Sequence, residues 1–163
     1  MVHQTQLKMY FKLAMFKHII CFSLIFISSH TFADSLSCGE TNAVVTNATS
    51  ANEPFFNLTL KNNAIHQSYQ FDIQKDSIHI RCDKNAKGNF VFLINHLCSG
   101  SGCADLGNFG IIEAKTGTIL LKPDKPFVGN VNKAKRILGK EIEPFACSKE
   151  SGEICLHSSI ELG

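Results

Sequence analysis

Beyond its first 33 residues the chain has no apolar run long enough to cross a bilayer as a helix. The longest is Phe90-Val91-Phe92-Leu93-Ile94, against the roughly 20 residues a helical span needs. It also lacks surplus positive charge. Three of its 16 Lys and Arg (Lys8, Lys12, Lys17) lie in that leading stretch, which leaves 13 against 14 Asp and Glu, a net charge of about −1. Neutralising several phosphates takes a cationic excess on one face, so nucleic acid is not an expected partner. Lys133, Lys135, Arg136 and Lys140 form a local basic cluster, read as the solvated side of a short helix. Internal repeats and low-complexity segments are absent, which excludes repeat architectures.

What opens the chain is an address. Lys8, Lys12 and Lys17 precede the apolar run Ile19-Ile20-Cys21-Phe22-Ser23-Leu24-Ile25-Phe26-Ile27, and Thr31 and Ala33 supply small residues before Asp34. That order is expected of a secretory signal peptide spanning residues 1–33. The segment from Met15 is already a complete signal, so residues 1–14 read as an upstream start or a long charged leader. The expected product is one exported domain, residues 34–163, in the periplasm or secreted. Asn47-Ala48-Thr49 and Asn57-Leu58-Thr59 fit the N-glycosylation pattern, which matters only on a eukaryotic secretory route.

Six cysteines follow Ala33: Cys38, Cys82, Cys98, Cys103, Cys147 and Cys155. An even number in an exported chain reads as three disulfides. Proximity suggests Cys98 with Cys103, Cys147 with Cys155, and Cys38 with Cys82. Around them lie strand patterns. Residues 34–53 suit one loosely held first strand, and Phe56, Leu58 and Leu60 alternate with Asn57 and Thr59. Tyr69, Phe71 and Ile73, then Ile78, Ile80 and Cys82, alternate on either side of a polar turn and predict a hairpin. Residues 90–94 predict a central strand buried on both faces. Residues 109–113 and 118–121 predict a hairpin turning at Gly117. Asn130 as N-cap, the stripe Val131, Ala134, Ile137 and Leu138, and Gly139 predict a short helix. Residues 142–145 and 155–162 predict two last strands. The sum is an α+β, mostly β domain: an antiparallel sheet of about seven strands with one short helix in its C-terminal half, stapled by disulfides.

The most conspicuous candidate site is Cys98-Ser99-Gly100-Ser101-Gly102-Cys103, directly after the most apolar run of the exported part. A disulfide there closes a ring with almost no side chain, whose glycines allow positive φ angles and an anion-holding nest, or close approach to a partner. Redox catalysis of the thioredoxin type needs two residues between the cysteines and a helix start, not four after a strand. His96, Cys98 and Cys103 offer three ligands to zinc, one short of a structural site, and no metal or cofactor is expected. Ser99 and Ser101 lack a nucleophile-elbow frame, and His66, His79, His96 and His157 are tied by spacing to no nucleophile and carboxylate. His79 and Arg81, on the polar side of one strand, and Asp105 after the loop complete the binding candidates.

No catalytic constellation is legible, and a stapled β-rich exported domain suits a binding or inhibitory role. In export, size and strand content the chain is similar to the small periplasmic lysozyme inhibitors and to immunity proteins against cell-wall-degrading toxins. That general resemblance implies an exported protein partner such as a cell-wall hydrolase, and it carries over no functional residue. The rival readings are an enzyme whose site is assembled from distant residues, and a structural envelope protein. Non-reducing peptide mapping is expected to recover residues 98 and 103 in one disulfide-linked species; finding either thiol free or paired elsewhere would remove the stapled loop.

Overall fold

The computed structural model describes residues 33–50, 53–72, 76–98, 107–123, 129–148 and 150–157. Four strands, β1 (Ala33–Cys38), β2 (Thr41–Ser50), β3 (Glu53–Lys61) and β4 (His66–Asp72), form one antiparallel sheet in sequence order. Five more, β5 (Asp76–Lys84), β6 (Phe90–Cys98), β7 (Phe109–Glu113), β8 (Ile119–Leu121) and β9 (Ile154–His157), form a second in the order β8-β7-β6-β5-β9. All pairings are antiparallel. The helix α1 (Val131–Leu138) lies between β8 and β9 in the chain.

The period of two in the sequence decides where the cores sit. Val45, Phe56, Leu58 and Leu60 of the first sheet meet Ile78, Ile80, Phe92, Ile94 and Ile112 of the second in one buried cluster. The opposite face of β6 sends Val91 and Leu93 into a second cluster with Phe109, Ile111, Leu121, and Ala134 and Leu138 of α1. The five-stranded sheet is therefore a middle layer, covered by the other sheet on one side and by α1 on the other. The continuous run at 90–94 is what such a doubly covered strand requires. The first sheet's outer face carries exposed or half-buried Asn42, Val44, Asn57, Thr59 and Ser68.

Three expectations change. Residues 34–53 hold a hairpin, β1 and β2, turning at Gly39 (φ 61°) and Glu40. Strands β4 and β5 do not pair with each other. Tyr69 and Phe71 on one, and Ile78 and Ile80 on the other, reach into the same core from opposite sheets. Alternation reports which side chains face a core, not which strand lies alongside, and two sheets sharing one core satisfy it as well as a hairpin. Residues 142–145 are irregular; Ile142 and Phe145 are partly buried against the second core as a cover.

Cys38 is joined to Cys82, and Cys147 to Cys155. The first bond ties β1 to β5 and so links the two sheets. Closing a loop of that separation, 44 residues, stabilises by about 4 kcal/mol on chain-entropy grounds. Cys103 lies outside the described residues, as does the 158–162 part of the expected last strand. These disulfides are compatible with an exported protein, and so is the absence, among the described residues, of a helix long and apolar enough to cross a membrane.

The helix begins at Asn130, whose carbonyl accepts from the backbone N–H groups of Lys133 and Ala134. Its side chain does not cap the helix. Asn130 Oδ1 accepts from the Phe109 N–H at 2.7 Å, and Nδ2 donates to the Phe109 carbonyl at 2.8 Å. Strand β8 is too short to reach Phe109, so the buried amide of Asn130 takes the place of a missing strand neighbour. At the other end Gly139, at φ 70°, donates to Lys135 O, and Ala86 of the β5–β6 turn donates to Leu138 O at 2.7 Å. Asn130→Ala leaves both Phe109 backbone groups unpaired and is expected to destabilise the domain by about 2–3 kcal/mol. Asn130→Asp, which cannot donate, should not recover this. Urea unfolding of the three proteins is the measurement.

Candidate functional site

Four turns meet at one end of the two sheets: Gly39 and Glu40 between β1 and β2, residues 62–65 between β3 and β4, residues 85–89 between β5 and β6, and residues 114–117 between β7 and β8. Polar side chains of the first sheet and of its β3–β4 turn bind the last of these turns. Thr41 is buried and donates from Oγ1 to Ala114 O at 2.6 Å. Asn62 Nδ2 donates to Thr41 Oγ1 at 2.8 Å and to Lys115 O at 3.1 Å, while its Oδ1 accepts from the N–H groups of Ala64 and Ile65. Tyr69 donates its hydroxyl to the Gly117 carbonyl and lies 2.6 Å from Gln67 Oε1. Burial pushes the Tyr69 hydroxyl above the usual tyrosine range.

Between these turns is a groove of about 380 Å³ lined by Gly39, Glu40, Asn62, Asn89, Glu113 and Lys115, with Phe90 on its wall. Phe90 is 40% exposed although it opens the most buried strand. Its ring is held in place. A Cβ on Gly39 would stand 2.9 Å from Phe90 Cδ2, so the backbone there passes directly beneath the ring. Lys84, its cross-strand partner, places Nζ 4.5 Å from the ring centroid, a cation–π contact. Glu113 is fixed by Thr116, whose Oγ1 donates to Oε2 at 2.6 Å. The groove thus presents one aromatic surface among carboxylates, amides and an ammonium group, and the Thr41 hydroxyl and Cys38 sulfur within its lining are already engaged.

His79 and Arg81 occupy the other side of β5 from Ile78 and Ile80, where the sequence placed a solvated face. They are covered instead. The Arg81 side chain is 12% exposed, pairs with Asp83 at 3.5 Å and Glu153 at 3.6 Å, donates to Pro144 O at 3.0 Å, and lies 4.6 Å from the Phe145 ring centroid. Lys140 joins Asp83 at 2.6 Å. The Glu153 carboxylate accepts from the N–H groups of Ala146 and Cys147 at 2.6 and 2.8 Å. The irregular stretches 140–148 and 150–153 are therefore pinned over β5 by ion pairs, because a guanidinium this buried must be matched. His79 stands against the Phe145 ring, with Nδ1 3.5 Å from Cys147 Sγ. His79, Cys147 and Cys155 bring potential metal-ligand atoms within 4.8 Å of one another. With both sulfurs in a disulfide, thiolates for a soft cation are not available there. Of the helix's basic residues, Lys135 pairs with Glu141, and Lys133 and Arg136 are exposed.

Ser99, Gly100, Ser101, Gly102, Cys103 and Asp105 lie outside the described residues. Nothing in the groove's lining comes from the described residues next to them: Phe90 and the C-terminal end of β6 at Cys98 stand at opposite ends of one strand. The groove itself was not legible beforehand. Its residues come from turns far apart in sequence, and the one available signal was an aromatic immediately after the Gly88-Asn89 turn. No protein-family model matches this chain, and it has no significant match among curated proteins or solved structures.

Because Tyr69 is held neutral by burial, the sign of its effect on stability follows. The folded pKa exceeds the unfolded value, so the native state keeps its proton longer, and stability falls as pH rises through about 10. Urea unfolding between about pH 9 and 11 is expected to show this decline, and Tyr69→Phe should show a shallower one.

Proposed function

We propose that this chain is an exported binding protein of the inhibitor type, which seats part of another exported protein in the groove beside Phe90. The observation that carries the reading is that exposed ring, fixed between Gly39 and Lys84 at the mouth of a groove whose walls are hydrogen-bonded turns. An aromatic side chain ordered in advance loses little entropy when a partner covers it, and such residues dominate binding energy at interfaces. The polar rim suits a partner segment with hydrogen-bonding groups around an apolar centre. On this reading residues 1–33 direct export to the periplasm or the exterior, and the partner is a cell-wall hydrolase.

The test is inhibition of muramidase-driven lysis of a cell-wall suspension, together with direct binding of the purified exported domain to the hydrolase. The domain is expected to slow lysis, and Phe90→Ala to weaken binding about 30-fold, the effect of losing an anchor worth about 2 kcal/mol. No effect on lysis and no hydrolase bound would overturn the proposal. Full affinity in Phe90→Ala would remove the groove from it.

A further inference from the structure

The two disulfides among the described residues sit in contrasting surroundings. Cys38 is 1% exposed and part of the inter-sheet core, with Cys82 packed against it. Cys147 is exposed, lies in an irregular segment, and has a φ of 51°. That left-handed backbone is strained for a residue with a Cβ. Cys155 is half-buried on β9 and is the direct cross-strand partner of His79. The imidazole is thus beside both sulfurs, 3.5 Å from Cys147 Sγ and within 4.8 Å of Cys155 Sγ.

From this we infer that Cys147–Cys155 is a thiol–disulfide exchange site, attacked at Cys147 and assisted by His79, whose co-substrate is a small thiol or a dithiol protein. It is independent of the groove. The incoming thiolate attacks the exposed Cys147 Sγ and forms a new S–S bond to it. The Cys147–Cys155 bond breaks, and its electron pair leaves on Cys155 Sγ. His79 faces that sulfur across the β5–β9 pair, placed to stabilise the departing thiolate or give it a proton, which speeds exchange because rate depends on the leaving thiol. A second thiol then attacks the mixed disulfide and releases Cys147 as a thiolate; the co-substrate supplies two electrons and ends as its own disulfide. Opening lets Cys147 leave its left-handed conformation, which favours the reduced form relative to an unstrained pair. The hydrogen bonds of Glu153 to Ala146 and Cys147, and its pairing with Arg81, hold the segment by contacts that do not pass through this bond.

The experiment treats the native protein with glutathione, quenches with acid at intervals, alkylates free thiols and maps the peptides. Cys147–Cys155 is expected to open at least tenfold faster than Cys38–Cys82, with glutathione on Cys147 and the alkyl label on Cys155. His79→Asn should slow that opening about tenfold and leave the Cys38–Cys82 rate unchanged. Equal rates for the two bonds, glutathione found mainly on Cys155, or an unaltered rate in a folded His79→Asn variant would each overturn the inference.

Discussion

Everything in the domain answers to one constraint, that β6 is buried on both faces. Phe92 and Ile94 need one cover, Val91 and Leu93 another, and a strand of this kind cannot sit at a water-facing surface. The first sheet supplies one cover, and α1 with the segment leading from it supplies the second. Those covers arrive from opposite ends of the chain. The topology follows: four strands form before β5, and α1 with the segment after it is laid down before β9 returns to close the edge beside β5.

A chain arranged this way leaves backbone groups without strand neighbours, and small polar side chains fill the gaps. Asn130 completes the ladder beside Phe109, Thr41 reaches Ala114, and Asn62 holds Lys115 and its own turn at once. Each is worth modest net stability when made and considerably more when removed, since burial penalises an unpaired donor or acceptor. The cross-sheet disulfide acts where those bonds do not, at the seam between β1 and β5.

Which residues face a core was legible in the chain, because burial imposes a period of two that Phe56, Leu58 and Leu60, or Ile78 and Ile80, display directly. The doubly buried strand, the glycine after the helix and the pairing of Cys147 with Cys155, eight residues apart, were legible for similarly local reasons, whereas Cys38 and Cys82, 44 residues apart, share no local signal. Neighbours in space were less so. Nothing local to Tyr69 or Ile78 says whether the chain turns back in one sheet or crosses to another, since both bury the same atoms. Asn130 has the composition of a cap, yet its amide is drawn away by a stronger demand from Phe109 that becomes visible only once β8 is known to be short. His79 and Arg81 read as solvent-facing because alternation marks them polar; their cover is an irregular segment more than 60 residues later, joined through Arg81 to Pro144.

That cover changes the meaning of the polar side of β5. Arg81 is charge-matched by Asp83 and Glu153, and Lys140 adds to the same carboxylate system, so its charge helps to hold the segment. His79, one pair further along the same face, meets sulfur instead of carboxylate. Ion pairs keep the segment in place at Arg81, which leaves the neighbouring disulfide less to do for the fold. A cross-link that shares its duty with ion pairs, exposed at one sulfur and flanked by an imidazole, is where the proposed exchange chemistry meets the least opposition from stability. The groove lies elsewhere, at the turns that meet around Phe90, whose ring is fixed between Gly39 and Lys84. On the two proposals made above, one domain separates a surface organised to be held still from a bond organised to be opened.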